Sequence, residues 1–195
     1  MGLKLEEMKL ATRAQQFAKL LENLEIIRHD GTPLGIELGI TTILGKLTQV
    51  RDNKGSVYVI GNGGSAAVAS HAVIDLINVA KLRAFTLHEP SVLTCLVNDY
   101  GYESAYALLL KQIARPGDIL IAISSSGSSL NICNAVTQMI SNGGNVITLS
   151  GFSHNNPLRS LGDINIWLNV SDYGLVEIGH QFILHNLSDR FGLDY

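Results

Sequence analysis

A glycine-rich loop between an apolar run and an amphipathic segment limits this chain to few folds. Residues 57–60 read Val-Tyr-Val-Ile, a β-prone run, and Gly-Asn-Gly-Gly-Ser follows at 61–65. Residues 66–81 then have apolar positions at the spacing of a helix. The segment therefore predicts a strand, a tight loop and a helix, which is the unit from which parallel α/β sheets are built.

The loop has the composition of an anion-binding site. Glycine at position 63 lets the backbone approach a ligand, and Ser65 offers a hydroxyl beside the unpaired N–H groups of a helix start, where negative charge is favoured. On this loop alone three interpretations stay open. They are a phosphate site, a dinucleotide site, because Gly61, Gly63 and Ala66 fit the looser fingerprint, and a tight turn with only a structural role.

Four further apolar runs predict strands, at 83–88, 119–123, 145–149 and 163–168. Helices are predicted between and after them, at 90–97, 104–114, 131–141 and 175–191. Because strands alternate with helices, we predict a five-stranded parallel sheet with helices on both faces, a three-layer α/β sandwich of the flavodoxin or Rossmann type. The length of 195 residues suits one such domain.

Two helices are predicted before the first strand. Residues 5–28 and 33–50 both carry strong helix formers with apolar residues at three- and four-residue steps. We therefore divide the domain into a helical pair over 1–52 and an α/β core over 53–195. The apolar faces of the pair could pack on their own domain or on another subunit, and the sequence favours neither.

The composition argues against several classes of function. The net charge is −3 and the lysines and arginines are scattered, so we expect no binding to nucleic acid. No apolar stretch approaches the roughly 20 residues that span a membrane, so no membrane association is expected. The two cysteines, Cys95 and Cys133, have no paired spacing and no secretory leader precedes them, which predicts a cytoplasmic protein.

A second ligand loop is predicted directly after the apolar run at 119–123. Residues 124–129 read Ser-Ser-Ser-Gly-Ser-Ser, and open α/β sheets bind ligands at this end of their strands. Hydroxyls and backbone N–H groups suit a phosphate monoester, and a flexible Ser/Gly connection is the alternative. Two such loops argue against NAD(P), which needs one glycine loop and an acidic residue about 20 positions on, and Glu89 lies too far.

Two predicted helices carry histidine and carboxylate side chains. His71 and Asp75 are four residues apart and so share a helix face, while Glu177 and His185 are eight apart on the last helix, with His180 nearby. Each pair alone is more typical of a surface or subunit contact than of a site. Together they supply acid, base and metal-ligand types.

Four motifs in order resemble the sugar isomerase (SIS) domain, and specifically the phosphoheptose isomerase family. They are the glycine loop at 61–65, Asn-Asp-Tyr-Gly-Tyr at 98–102, Arg-Pro-Gly-Asp at 115–118 and Ile-Ser-Ser-Ser-Gly-Ser-Ser-Leu-Asn at 123–131. The resemblance covers nearly the whole chain and implies a homotetramer that converts sedoheptulose 7-phosphate to glycero-manno-heptose 7-phosphate, for bacterial surface polysaccharides. The alternative is a non-catalytic SIS protein that binds a sugar phosphate as a sensor or scaffold.

The resemblance also implies roles for individual residues. The family's phosphate ligands in the second loop match Ser124, Ser125, Ser126 and Ser129. Its first-loop and pocket contacts match Asn62, Gly63, Ser65 and Asp99. Its catalytic pair, a glutamate and a histidine, maps to Asp75 and His185. Its zinc ligands map to His71, Asp75, Glu177 and His185, so zinc or another divalent metal is expected.

Ser125 stands where the family usually has threonine, and two of the metal-site positions also depart from the family pattern. Asp75 stands where the family has glutamate, and Glu177 where it has glutamine. A base displaced by roughly 1 Å can lose about 10²-fold in rate unless the site adjusts, so a related sugar phosphate is the alternative substrate. Both replacements can still ligate a divalent cation.

Overall fold

One mixed sheet of seven strands forms the centre of the protein, in a computed structural model that describes residues 8–194. Five strands are parallel: β3 (Val57–Ile60), β4 (Ala84–Thr86), β5 (Ile119–Ser124), β6 (Asn145–Ser150) and β7 (Ile164–Trp167). Two more strands form antiparallel pairs: β1 (Glu25–Arg28) pairs with β7, and β2 (Pro33–Leu34) pairs with β1. Their order across the sheet is β2-β1-β7-β6-β5-β3-β4.

Helices cover both faces of the sheet, as the sequence predicts. Within the described residues they are α1 (Leu10–Glu22), α2 (Ile36–Asp52), α3 (Gly64–Asn78), α4 (Pro90–Tyr100), α5 (Ala105–Ile113), α6 (Leu130–Ser141) and α7 (Tyr173–Asp194). A short 3₁₀ helix, Pro157–Ser160, precedes β7. Helices α1, α2, α3 and α7 share one apolar cluster with the sheet, and α5 and α6 share the other.

The central strands bury both of their faces. Val57 and Val59 of β3 belong to the cluster under α2, α3 and α7, while Tyr58 and Ile60 belong to the cluster under α5 and α6. Successive side chains of a strand point to opposite faces, so a strand covered on both sides needs an uninterrupted apolar sequence. This requirement explains why the apolar run at 57–60 does not alternate with polar residues.

The N-terminal region corrects the prediction of five strands after a pair of helices. The helix predicted over 5–28 has its first residues, 5–7, outside the described residues, and α1 ends at Glu22. Residues Glu25–Arg28 form β1 instead, with Ile26 opposite Ile166 of β7. Ile26 is only 1% exposed and packs against Gly39 of α2, where an added Cβ would overlap it. Pairing with β7 and burial of this β-branched residue override the local helix propensity.

The other element boundaries differ from the predictions by a few residues. Part of the predicted loop at 98–102 is helical, because α4 continues to Tyr100 and ends at Gly101, whose φ is +83°. The helix predicted from residue 33 begins at Ile36, because Pro33–Leu34 pair with β1 as strand β2. Both cysteines are free, Cys95 exposed and Cys133 half-buried. Among the helices of residues 8–194, none combines the length and the apolar character that crossing a bilayer requires.

Candidate active site

The two predicted ligand loops meet in one cavity at the carboxyl ends of β3 and β5. These strands are neighbours and parallel, so the loops that follow them emerge side by side. The cavity has a volume of about 150 Å³ and is lined by Asn62, Ser65, Ile123, Ser124, Ser125, Ser126, Ser129, Tyr173 and Glu177. We call it the serine cavity.

The second ligand loop, residues 124–129, is called the serine loop below, and it contains a hydroxyl without a protein partner. Ser125 is buried, and its Oγ makes no hydrogen bond to any described residue. The Oγ atoms of Ser124 and Ser129 lie 3.3 Å apart. A buried hydroxyl without a partner is unfavourable, so an anionic oxygen in this cavity would stabilise it.

Asn156, which the sequence did not indicate as a site residue, packs against Gly127 of this loop. Gly127 has φ +65°, and a Cβ added there would overlap the Asn156 side chain. The Asn156 amide donates to the Ser153 carbonyl at 2.8 Å, and the Leu158 N–H donates to the Gly127 carbonyl at 3.0 Å. The Asn-Pro sequence at 156–157 signals a helix start, and nothing in it indicates a contact with the loop.

The Asn62 side chain is held by a network of polar groups. Its amide and that of Asn131 exchange two hydrogen bonds of 2.9 Å, and the Tyr102 hydroxyl donates to Asn62 Oδ1 at 2.7 Å. Tyr106 donates to the Gly61 carbonyl at 3.2 Å, and burial raises the pKa of its phenol. The first loop is therefore fixed before any ligand binds.

Asp99, the remaining predicted pocket residue, does not line the serine cavity. It lies in the last turn of α4, where its Oδ1 accepts a 2.9 Å hydrogen bond from the Asn98 side chain. Tyr102 is the residue of the 98–102 segment that reaches the first loop.

A second group of predicted residues meets where α3 and α7 pack together. His185 Nδ1 lies 3.0 Å from Asp75 Oδ2, and His71 Nε2 lies 3.6 Å from the same oxygen. The two imidazole rings meet edge to face at 4.8 Å between centroids. His71 and Asp75 are on one face of α3, and α7 brings His185 to that face across 110 residues of sequence.

The three side chains fit a divalent metal ion. Their ligating atoms all lie within 4.8 Å of one another, and buried Asp75 Oδ2 makes no hydrogen bond of good geometry despite the two nearby nitrogens. Two donors of a tetrahedral zinc ion lie roughly 3.3 Å apart. The distances of 3.0 and 3.6 Å around Asp75 Oδ2 bracket that spacing.

Glu177, the fourth predicted ligand, lies apart from this group. Its carboxylate sits against Gly64 at the start of α3, where an added Cβ would overlap it, and it lines the serine cavity. The described structure therefore brings three of the four predicted ligands together and puts the fourth beside the phosphate-type loop.

His180 is buried in the core and separate from both groups. Its Nε2 is 3.2 Å from the Ser150 carbonyl, which fits the tautomer with the proton on Nε2. Burial lowers the pKa of His180 to about 4, so the ring is neutral near pH 7.

The fold, the glycine loop and the serine loop together define an SIS domain. The sequence profile described as "SIS domain" matches residues 38–151. The phosphoheptose isomerase of Geotalea daltonii is 33% identical over 164 residues, which cover 80% of this chain and 85% of that protein. The phosphoheptose isomerase of Mycobacterium tuberculosis is 35% identical over 140 residues, covering 69% and 71%. The chain belongs to the phosphoheptose isomerase family, which confirms the resemblance seen in the sequence.

A solved structure supports the fold along nearly the whole chain. The phosphoheptose isomerase from Francisella tularensis superposes with a TM-score of 0.83 and 23% identity, covering 98% of this chain and 99% of that one. The N-terminal elements, which the sequence profile does not reach, are thus part of the shared fold.

Proposed function

We propose that the protein is an aldose–ketose isomerase that converts sedoheptulose 7-phosphate to glycero-manno-heptose 7-phosphate. The observation that carries the proposal is the pairing of His185 with half-buried Asp75 at 3.0 Å, on the same two helices that border the serine cavity. The relatives named phosphoheptose isomerase support this substrate. They do not favour the non-catalytic alternative.

The serine cavity holds the phosphate in this proposal. Ser125 Oγ supplies a free donor, and the start of α3 at Gly64 and Ser65 provides unpaired N–H groups in a favourable dipole. The Asn62 amide, fixed by Asn131 and Tyr102, binds a hydroxyl of the sugar.

Asp75 and His185 carry out the proton transfers. Isomerisation moves a proton between adjacent carbons through an enediol and another proton between the two oxygens. Asp75 is the base at carbon in this proposal, because its side chain is only 18% exposed and its Oδ2 lies 3.0 Å from His185 Nδ1. His185 exchanges a proton with the oxygens and stabilises the Asp75 carboxylate.

The distance between the serine cavity and the Asp75–His185 pair favours a long substrate. Asp75 follows Ser65 by ten positions of α3, which is about 15 Å along the helix at 1.5 Å per residue. Side chains and the phosphate group itself take up part of this distance, but a triose phosphate would not span the rest. A seven-carbon sugar with its phosphate at one end and its carbonyl at the other suits such a site.

His71, Asp75 and His185 would hold zinc or another divalent metal, with Glu177 as the fourth ligand if its side chain turns from Gly64. When bound, such an ion polarises a carbonyl or an enediolate oxygen. The protein's own groups still bind the phosphate, orient the sugar and move the protons.

We further propose a cytoplasmic homotetramer that supplies heptose for surface polysaccharides. Two free cysteines suit a reducing compartment. Exposed apolar residues lie on α3 and α7, the helices that carry His71 and His185, so association through these helices would shield the catalytic pair from water. These residues are Ile74, Ile77, Ile178 and Phe182.

The test is proton NMR of the purified protein with sedoheptulose 7-phosphate in D₂O. We expect an aldoheptose phosphate to appear with deuterium incorporated at the carbon that exchanges its proton. Asp75→Asn and His185→Gln should each lower the rate at least about 10²-fold while the sugar phosphate still binds.

Asp189→Asn is the matched control, because Asp189 is an exposed carboxylate one turn after His185 on α7. Its rate should equal that of the wild type. Binding of the sugar phosphate without turnover in the wild type would instead support the non-catalytic alternative.

A further inference from the structure

A second cavity lies near the amino ends of β3 and β5, away from the serine cavity. It has a volume of about 560 Å³, within the range of small-molecule sites, and it opens between the edge strand β4 and the end of α5. Ser56 precedes β3 and Asp118 precedes β5, and both line it. It contains none of the residues to which the sequence assigns a catalytic, phosphate or metal role.

One wall of this cavity is aromatic. The rings of Tyr58 and Phe85 lie 6.2 Å apart between centroids, tilted by 32°. Phe85 is 45% exposed on the edge strand, and Leu87 and Ile113 extend the apolar surface. An exposed ring face beside a cavity is a surface on which a flat ligand can stack.

The rim carries three cations that no carboxylate neutralises. Lys54, Arg83 and Arg115 line the cavity, and none of them lies within 4.0 Å of a carboxylate among residues 8–194. The one acidic residue of the lining, Asp118, already accepts hydrogen bonds from the backbone. Its two oxygens accept hydrogen bonds from the backbone N–H groups of Ser56, at 2.8 Å, and Arg115, at 2.9 Å.

The aromatic wall and the three cations together indicate which class of ligand the cavity binds. Arg83 Nη1 donates to the Lys54 carbonyl at 3.0 Å, but an apolar molecule would leave the three positive charges without an anion. A sugar phosphate without a base would leave the aromatic wall uncovered. A nucleoside phosphate uses both, since its base stacks on aromatic rings and arginine binds phosphate with a forked pair of hydrogen bonds. We propose that this cavity is a second ligand site that binds a nucleoside phosphate, with the base on Phe85 and the phosphate at Arg83 and Arg115.

Isothermal titration calorimetry of the full chain with AMP tests the proposal. We expect saturable binding, with adenosine, ribose 5-phosphate and inorganic phosphate each at least tenfold weaker. Phe85→Ala and Arg115→Ala should each weaken AMP binding at least tenfold, and Arg115→Lys less than Arg115→Ala. Lys111→Ala, an exposed cation on α5 outside the lining, is the matched control and should leave AMP binding unchanged.

Three results would overturn this proposal: no saturable AMP binding at millimolar concentration, inorganic phosphate binding as tightly as AMP, or AMP binding that is lost in Ser126→Ala and kept in Arg115→Ala. The last result would assign the binding to the serine cavity. Thermal melts of every variant check that it is folded. Because the readout is AMP binding, its outcome is independent of whether the protein turns over sedoheptulose 7-phosphate.

Discussion

The Glu177 side chain puts a carboxylate into a cavity otherwise suited to phosphate. Two like charges about 5 Å apart repel by about 1 kcal/mol in a water-like dielectric and by more in a drier site. The carboxylate also occupies the start of α3, where the helix dipole favours an anion. A bound phosphate group must therefore displace Glu177 or accept the repulsion.

We expect Glu177→Gln to lower the KM for the sugar phosphate several-fold, because the amide has nearly the same shape and no charge. The measurement is steady-state kinetics of both proteins at equal ionic strength. The difference should shrink as salt is added, since screening weakens the repulsion. A raised KM would instead mean that the carboxylate itself binds the sugar or its metal.

His180 makes the stability of the fold depend on pH. Its folded-state pKa of about 4 is below the value of about 6.5 for an unfolded histidine. Between these pH values the unfolded chain binds the additional proton, so stability is complete above pH 6.5 and falls as the pH drops toward 4. The loss attributable to this residue is about 3 kcal/mol.

Urea denaturation between pH 7 and pH 4 measures this loss. The wild type should show a decreasing free energy of unfolding across that range, and His180→Gln should show a smaller decrease. The variant is also expected to be less stable at pH 7, because it changes a fully buried side chain. Equal slopes for both proteins would exclude His180 as the source.

At the scale of elements, the serine loop depends on a close contact with the segment that leads into β7. Gly127 combines a left-handed backbone with a position against Asn156 that leaves no room for a Cβ. The contact joins the ligand loop after β5 to the loop after β6. Both strands end at the same edge of the sheet, so the two loops support each other.

Gly127→Ala should reduce the free energy of unfolding by about 2–4 kcal/mol, combining backbone strain with overlap. Gly117→Ala is the matched control, because Gly117 also has a positive φ, +87°, but no atom lies within 4 Å of an added Cβ. The control should lose only about 1 kcal/mol. Thermal or urea unfolding of both variants makes the comparison, and equal losses would argue against the Asn156 contact.

At the scale of the whole molecule, the proposed tetramer would bury the exposed apolar residues on α3 and α7. Ile178 is 58% and Phe182 52% exposed, and both lie on α7 near His185. Burial of a large aliphatic side chain contributes about 1.5–3 kcal/mol, and each copy in an oligomer adds its own. Patches of this kind are typical of subunit interfaces.

Light scattering should give a mass of about 84 kDa for the wild type, four times the 21.0 kDa chain. Ile178→Asp should give a smaller species, because the contact would bury an unpaired charge. Ile140→Asp is the matched control, since Ile140 is 46% exposed on α6, across the sheet from α7. Loss of the tetramer in both variants would show an effect not specific to α7.

The sequence by itself determined the local units of this protein. Glycine and serine clusters after apolar runs fixed where strands β3 and β5 end and ligand loops begin, because only certain residues permit such turns. The spacing of four residues put His71 and Asp75 on one helix face. These are properties of neighbouring residues, so periodicity and turn chemistry are sufficient to predict them.

Only the tertiary structure decided which distant segments meet. The residues of β1 form a strand because they pair with the free edge of β7, and no local pattern in the sequence indicates that edge. His185 reached Asp75, and Glu177 reached Gly64, because the packing of α7 on α3 aligns residues more than 100 positions apart. Contacts of this kind depend on the burial of whole faces, which a window of sequence does not contain.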